Sequence, residues 1–189
     1  MNKLKTRNKI IIFLLIIGIV SFAFLNGVII PKINANKQQY IAEQQNPSAH
    51  DLESILKFKN KYMGDAPNMI NLFHSLPLSN VGTTFQMFPD QLTTDVNYQE
   101  TVANIGTLEV KKALIYNATA AFALISNLES LNFKFSDSSS YKVNRDEVEK
   151  WYGEKTASLL SDKTWKEKVQ TKLDDNQYVE TCFKALFTS

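Results

Sequence analysis

Cysteine, histidine and glycine are all scarce in this 189-residue chain, which has one, two and six of them. The single cysteine, Cys182, has no internal disulfide partner. His50 and His74 stand far from each other and from Cys182, so the clustered spacing of a metal site is missing and no metal is expected. Six glycines leave little from which to build a phosphate-cradling loop, and no cofactor is expected. No G-x-S-x-G elbow marks a nucleophile, and no catalytic residue is assigned. Asp174-Asp175-Asn176 lacks the glycine and glutamate spacing of a calcium loop and reads as a solvated helix end.

Charge is absent from Ile10–Ile30 and acidic charge from the first nine residues, where Lys3, Lys5, Arg7 and Lys9 stand. At about 1.5 Å per residue the uncharged run covers the roughly 30 Å hydrocarbon core of a bilayer. A basic flank on one side predicts an N-terminus in the cytoplasm and the bulk of the chain outside. A cleaved signal is the competing reading. Its apolar region is ordinarily shorter, and a cut after Ala35 in Ile33-Asn34-Ala35 lacks one of the two small residues. A retained signal-anchor is therefore expected, single-pass, in the cell membrane.

Setting the four N-terminal cations aside leaves 17 of the 21 basic residues against 19 acidic ones. The remainder is near −2 and has no basic excess for nucleic acid, which is excluded as a partner. The expected organisation is a basic cytoplasmic tail (1–9), a transmembrane helix (10–30), a polar stalk or helical continuation (31–50) and one extracytoplasmic domain (51–189).

Within that domain Asp51 opens a short amphipathic helix. Asp65 caps the next, with Pro67 in its first turn and Pro77 at its stop. Val81–Phe88 and Thr93–Glu100, rich in Thr, Val and aromatics, read as two strands around Pro89-Asp90. Thr107–Tyr116 is ambiguous, with a third strand as its reading, and Asn117 reads as the cap of ATAAFALISNLE. Leu131–Phe135 alternates as a strand, and Tyr141–Val143 reads as another. Asn144 with Glu147 forms a helix start and Gly153 a stop. A helix capped by Ser161 or Asp162 and a last one through YVETCFKALF complete the chain, with Cys182 on the buried face. The fold class is α+β with a small antiparallel sheet.

Three of these stretches resemble one family. KNKYMGDAPNMINLFHSLP (Lys59–Pro77) is similar to the opening motif of the bacterial extracytoplasmic domain of unknown function 4825, with its Tyr-x-Gly-Asp turn at Tyr62, Gly64 and Asp65 and its Leu-Pro stop at Leu76 and Pro77. Asn117–Phe135 resembles that family's helix leading into an aromatic strand, and Ser139–Gly153 its closing segment. The resemblance covers roughly residues 51–153, and the tail from Lys155 departs from it. It implies an exported or membrane-tethered domain of Gram-positive bacteria and brings no activity and no catalytic residues with it.

Tyr62, Gly64 and Asp65 are the candidate binding residues. Gly64-Asp65 also reads, first, as a left-handed glycine turn entering a capped helix, with a binding surface as the functional alternative; Trp151-Tyr152 reads as core packing at a helix end, with a partner-facing hot spot as the alternative. The expected function is a membrane-anchored binding or regulatory module acting on a membrane protein or another cell-envelope component. The alternative is an envelope hydrolase whose site, with His74 and Asp and Ser side chains, assembles only in the fold.

Overall fold

A computed structural model describes residues 2–188, with side chains from Asn8 onward; the side chains of Lys3, Lys5 and Arg7 lie outside the described residues. The chain divides into two compact units between Ala42 and Glu43.

The first unit is helical: α1 (Asn2–Phe24), a π-helical turn (Leu25–Ile29) and α2 (Ile30–Gln45). The turn has a cause in the sequence. Pro31 has no N–H, and its ring crowds the carbonyl four residues back, so the helix widens by one residue just before it. The Ile30 N–H then reaches the carbonyl of Leu25, and Asn26 Nδ2 donates to the Phe22 carbonyl at 2.9 Å. Ile10–Ile30 is exposed apart from the half-buried Ile29. Among the described residues one helix, Asn8–Gln45, is long and apolar enough to cross a membrane.

The second unit begins in the last turn of α2. After α3 (Glu53–Leu56) and α4 (Ala66–Phe73), β1 (Thr83–Phe88) and β2 (Thr93–Tyr98) form an antiparallel pair, with Phe88 opposite Thr93. The 3-10 turn Pro89–Gln91 and a left-handed Leu92 (φ 51°) close it. The chain then leaves the sheet through α5 (Val102–Ile105) and α6 (Thr107–Leu124). It returns as β3 (Ser130–Lys134), parallel to β2, and β4 (Ser140–Asn144) lies antiparallel beside it. The domain is mixed α+β with the sheet order β1-β2-β3-β4. The antiparallel sheet expected from the sequence is thus corrected to a mixed one, because a helical crossover of that length delivers a parallel strand.

Thr107–Tyr116 is helix, not strand, and Asn117 lies in the middle of α6, not at its cap. Helix α6 starts after Gly106, at φ 104°, and from Ala113 to Leu124 it is buried on every side. A helix buried all round carries no amphipathic stripe by which its start can be read.

The C-terminal elements wrap this central helix: α7 (Arg145–Tyr152), a 3-10 turn (Thr156–Leu159), α8 (Asp162–Trp165) running into π and 3-10 turns (Lys166–Gln170, Thr171–Asp174), and α9 (Asn176–Leu186). The expected caps are in place. Asn144 and Glu147 form a capping box, Gly153 ends α7 at φ 70°, and Ser161 accepts from the Thr164 N–H. Cys182 is fully buried in α9, and burial pushes its thiol up to about 12.

One face of the sheet joins the core through Val96, Tyr98, Leu131, Phe133 and Val143. The other carries polar side chains. At its centre Asp95 is almost buried and accepts from Asn132 (2.6 Å) and Lys134 (2.5 Å).

Candidate functional site

The residues expected to bind occupy an exposed turn that the backbone holds stiffly. The Asn60 N–H donates to the Leu124 carbonyl and its own carbonyl accepts from Ser126, each at 2.9 Å. Asn127 Oδ1 accepts from the Met63 N–H at 2.6 Å, and Met63 is fully buried. Asp65 caps α4 through Oδ1 to the Asn68 N–H and also accepts from Asn60 Nδ2. The capped helix is as expected. The left-handed glycine is not: Gly64 is outside the positive-φ residues, because the Asn60 and Asp65 side chains close the turn in its place. Tyr62 is left 58% exposed.

His74, named for the hydrolase alternative, is exposed and meets only the edge of Phe85 among the described rings. His50, assigned from sequence to the stalk, is 2% exposed inside the second unit. Its Nε2 lies 2.7 Å from the Ser75 carbonyl, which can only accept, so Nε2 carries the proton. Nδ1 therefore accepts from the Tyr116 hydroxyl at 2.9 Å, and that hydroxyl accepts from Trp165 Nε1 at 3.2 Å. Gln170 Nε2 donates to the His50 carbonyl at 2.7 Å. The imidazole is neutral, saturated and locked.

A charge on His50 would need Nδ1 to donate, and Tyr116 would then lose the acceptor for its own proton. Burial, the dominant cause, holds the His50 pKa below its ordinary value, against the raising influence of the Ser75 carbonyl and Asp51. The unfolded chain thus takes the proton first. Stability is complete above the unfolded value of about 6.5 and is lost as pH falls from there toward the folded value. We expect thermal melts of the full-length protein between pH 7 and 5 to show this loss, at most about 1.4 kcal/mol per pH unit. His50→Gln should flatten the slope; an unchanged slope would remove His50 as its source.

Beside this network lies an open cleft of about 450 Å³ lined by His50, Asp51, Asp162, Lys163, Lys166 and Gln170 among others. A second cleft, of about 560 Å³, lies at the start of β1 and the end of β2. Asn80, Gln99, Glu100 and Asn104 give it polar walls, and Leu78, Val81 and Ile105 an apolar lining. Gly82 makes room for it, since a Cβ there would stand 2.6 Å from Gln99 Oε1. Glu100 accepts from the Thr101 N–H and Asn104 Nδ2, which together hold its carboxyl below the usual range.

The loop entering this cleft is strained and clamped. Leu78 has φ 69°, a costly conformation for a branched side chain. Asn117, buried in α6, fixes it by donating to the Pro77 carbonyl at 2.8 Å. Gln45, the last residue of α2, donates to Ser79 Oγ at 2.8 Å, and its Oε1 lies 3.5 Å from the Asn80 N–H. Sequence reading missed this cleft because its polar residues come from two loops and the short helix α5 and have no motif. The glycine at 82 before a Thr-rich strand is the one signal that pointed to a close approach.

The described residues hold no group of three or more His, Cys, Asp or Glu side chains able to bind a metal. With the geometry established, comparison with known proteins gives one match: residues 55–146 fit the family model described as Domain of unknown function (DUF4825). No curated protein and no solved structure matches the chain. The family span takes in the Tyr62 turn, the cleft and all four strands; His50 and Trp165 fall outside it.

Proposed function

The chain carries a DUF4825 domain, and from that premise we propose that it is a membrane-anchored extracytoplasmic binding module acting on a cell-envelope component. Its N-terminal helix stays in the membrane with the basic end in the cytoplasm, and the cleft at Asn80 and Gln99 receives the ligand. The observation that carries this reading is the clamp. The loop lining the cleft is hydrogen-bonded through Ser79 to Gln45, the end of the membrane-length helix. A ligand that shifts Leu78–Gly82 therefore disturbs the Gln45 contact, which supports the reading of a module that responds to occupancy. Three carboxamides and one carboxylate suit a neutral or weakly cationic ligand rich in hydrogen-bonding groups.

The test uses the full-length protein in the membranes of the cell that makes it. A photocrosslinking residue at Asn80 should capture a discrete adduct, and one at the exposed Glu167 should not. Gln99→Ala with Asn104→Ala should lower the Asn80 adduct at least tenfold while leaving the melting temperature within a few degrees. Equal adducts at both positions, or no effect of the double substitution, would count against the cleft. External protease removing a C-terminal tag from intact cells checks the orientation.

A further inference from the structure

The domain has a second surface feature that the cleft does not use. Among the described residues of the second unit, Tyr62 is the one exposed large apolar side chain. It ends the run Lys57-Phe58-Lys59-Asn60-Lys61-Tyr62, in which all three lysines are exposed. None of them enters an ion pair among the described residues, whereas Lys111, Lys134, Lys155 and Lys168 all do. No acidic residue stands between Glu53 and Asp65, and the Asp65 carboxylate is engaged in its cap. Lys57 Nζ lies 5.0 Å from the centre of the Phe58 ring and Lys61 Nζ 5.2 Å from that of Tyr62. Cations laid over aromatic rings on a stiff turn make an unneutralised basic-aromatic knob in a domain whose overall charge is slightly negative.

We propose that this knob seats on an anionic lipid surface. The inference rests on the anchored reading above, which brings such a surface within reach of the domain throughout its life. A lysine near an anionic leaflet gains about 1 kcal/mol, and tyrosine prefers the headgroup level, where its ring is apolar on one side and its hydroxyl wet. The tether makes docking intramolecular, so three weak cations suffice where a free protein would need more. Because the Asn60 backbone is bonded to Leu124 and Ser126 at the end of α6, docking orients the core of the domain and not a loose loop.

Gly64 is the place to read it. It is exposed, its φ is not positive, and a Cβ there meets nothing within 4 Å. The full-length Gly64→Cys protein, carrying an NBD dye, is placed in nanodiscs of phosphatidylcholine alone or with phosphatidylglycerol; buried Cys182 stays unlabelled. Blue-shifted emission quenched by spin-labelled headgroups is expected only with phosphatidylglycerol, and is reversed by about 1 M salt. Replacing Lys57, Lys59 and Lys61 by Gln should weaken docking on the order of a hundredfold, and Tyr62→Ser a few-fold. The same signal in both discs, or none in either, overturns the proposal. So does a lysine-dependent response to soluble polyglutamate but not to lipid, which would assign the knob to an acidic protein. A chain that leaves the discs on carbonate washing defeats the anchored reading instead. Phosphatidylglycerol vesicles added to that freed chain then decide the knob: lysine-dependent binding supports it and no binding overturns it.

Discussion

Arg145→Met is expected to destabilise the domain by about 3 kcal/mol, the low end of the cost of breaking a buried ionic group, because the side chain is largely but not fully buried. Arg145 is the first residue of α7, yet its guanidinium reaches into the end of α6. Nε donates to the Leu128 carbonyl at 2.8 Å, Nη1 to Phe122 at 2.8 Å and to Thr156 Oγ1 at 3.0 Å, and Nη2 to Ile125 at 2.6 Å. Its plane also lies 5.3 Å from the Phe122 ring. The Phe122 and Ile125 carbonyls lie at the C-terminal end of α6, the negative pole of its dipole, and that of Leu128 in the loop beyond it. Glu129 and Glu149, each 3.7 Å away, balance the charge. Truncation takes the guanidinium donors from three carbonyls and its charge from Glu129 and Glu149, although Ile125 keeps the Leu128 N–H and Glu149 keeps Lys155. A melt read by near-UV dichroism should show Tm falling by about 6–12 °C, at 2–4 °C per kcal/mol. Arg145→Lys separates shape from charge. A single ammonium does not span four acceptors, so it should recover less than half of the loss. Recovery to within about 1 kcal/mol of wild type would show that charge alone suffices.

The second large effect is expected at Trp165. Its ring is fully buried, edge-on to Tyr116 at 5.4 Å between centroids, and its Nε1 donates to the hydroxyl that in turn serves His50. Trp165→Ala should cost about 3–5 kcal/mol through lost transfer energy and the cavity left behind. It should also loosen His50, because the Tyr116 hydroxyl is then positioned from one side only. Loosening relieves the burial that holds the His50 pKa down, so we expect the loss to be smaller at pH 5.5 than at pH 7.5. Trp165→Phe keeps most of the volume and should cost less, while showing the same pH trend. Urea titrations at the two pH values read both effects. A pH-independent loss in both variants would mean that Trp165 acts by packing alone.

Both residues show what one-dimensional reading can and cannot reach. Arg145 was seen only as part of a helix start, since Asn144 and Glu147 announce the capping box within four residues of each other. Nothing nearby announces that its side chain closes a helix ending some twenty residues earlier. His50 was assigned to the stalk because its neighbours are Asn, Gln and Ser. Its partners, Ser75, Tyr116 and Gln170, are distant in the chain, and only folding brings them to it. The Tyr62 turn was legible, caps included, because Asn60, Asp65 and Asn68 act on backbone within a few residues. The reason assigned to Gly64 was wrong, because side chains close that turn instead.

What the sequence determined alone is what local chemistry decides. It gave the uncharged run of membrane length, the caps at Asp65, Asn144 and Ser161, the stop at Gly153, the strands and the buried Cys182. Each follows from interactions within a turn or two, or from the solvent a segment demands. The tertiary structure decided the parallel pairing of β2 with β3, the all-round burial of α6, the His50 network and the cleft between Asn80, Gln99 and Asn104. These depend on which distant surfaces meet. A buried polar group or a crossover strand takes its meaning from partners that are neighbours in space and strangers in sequence.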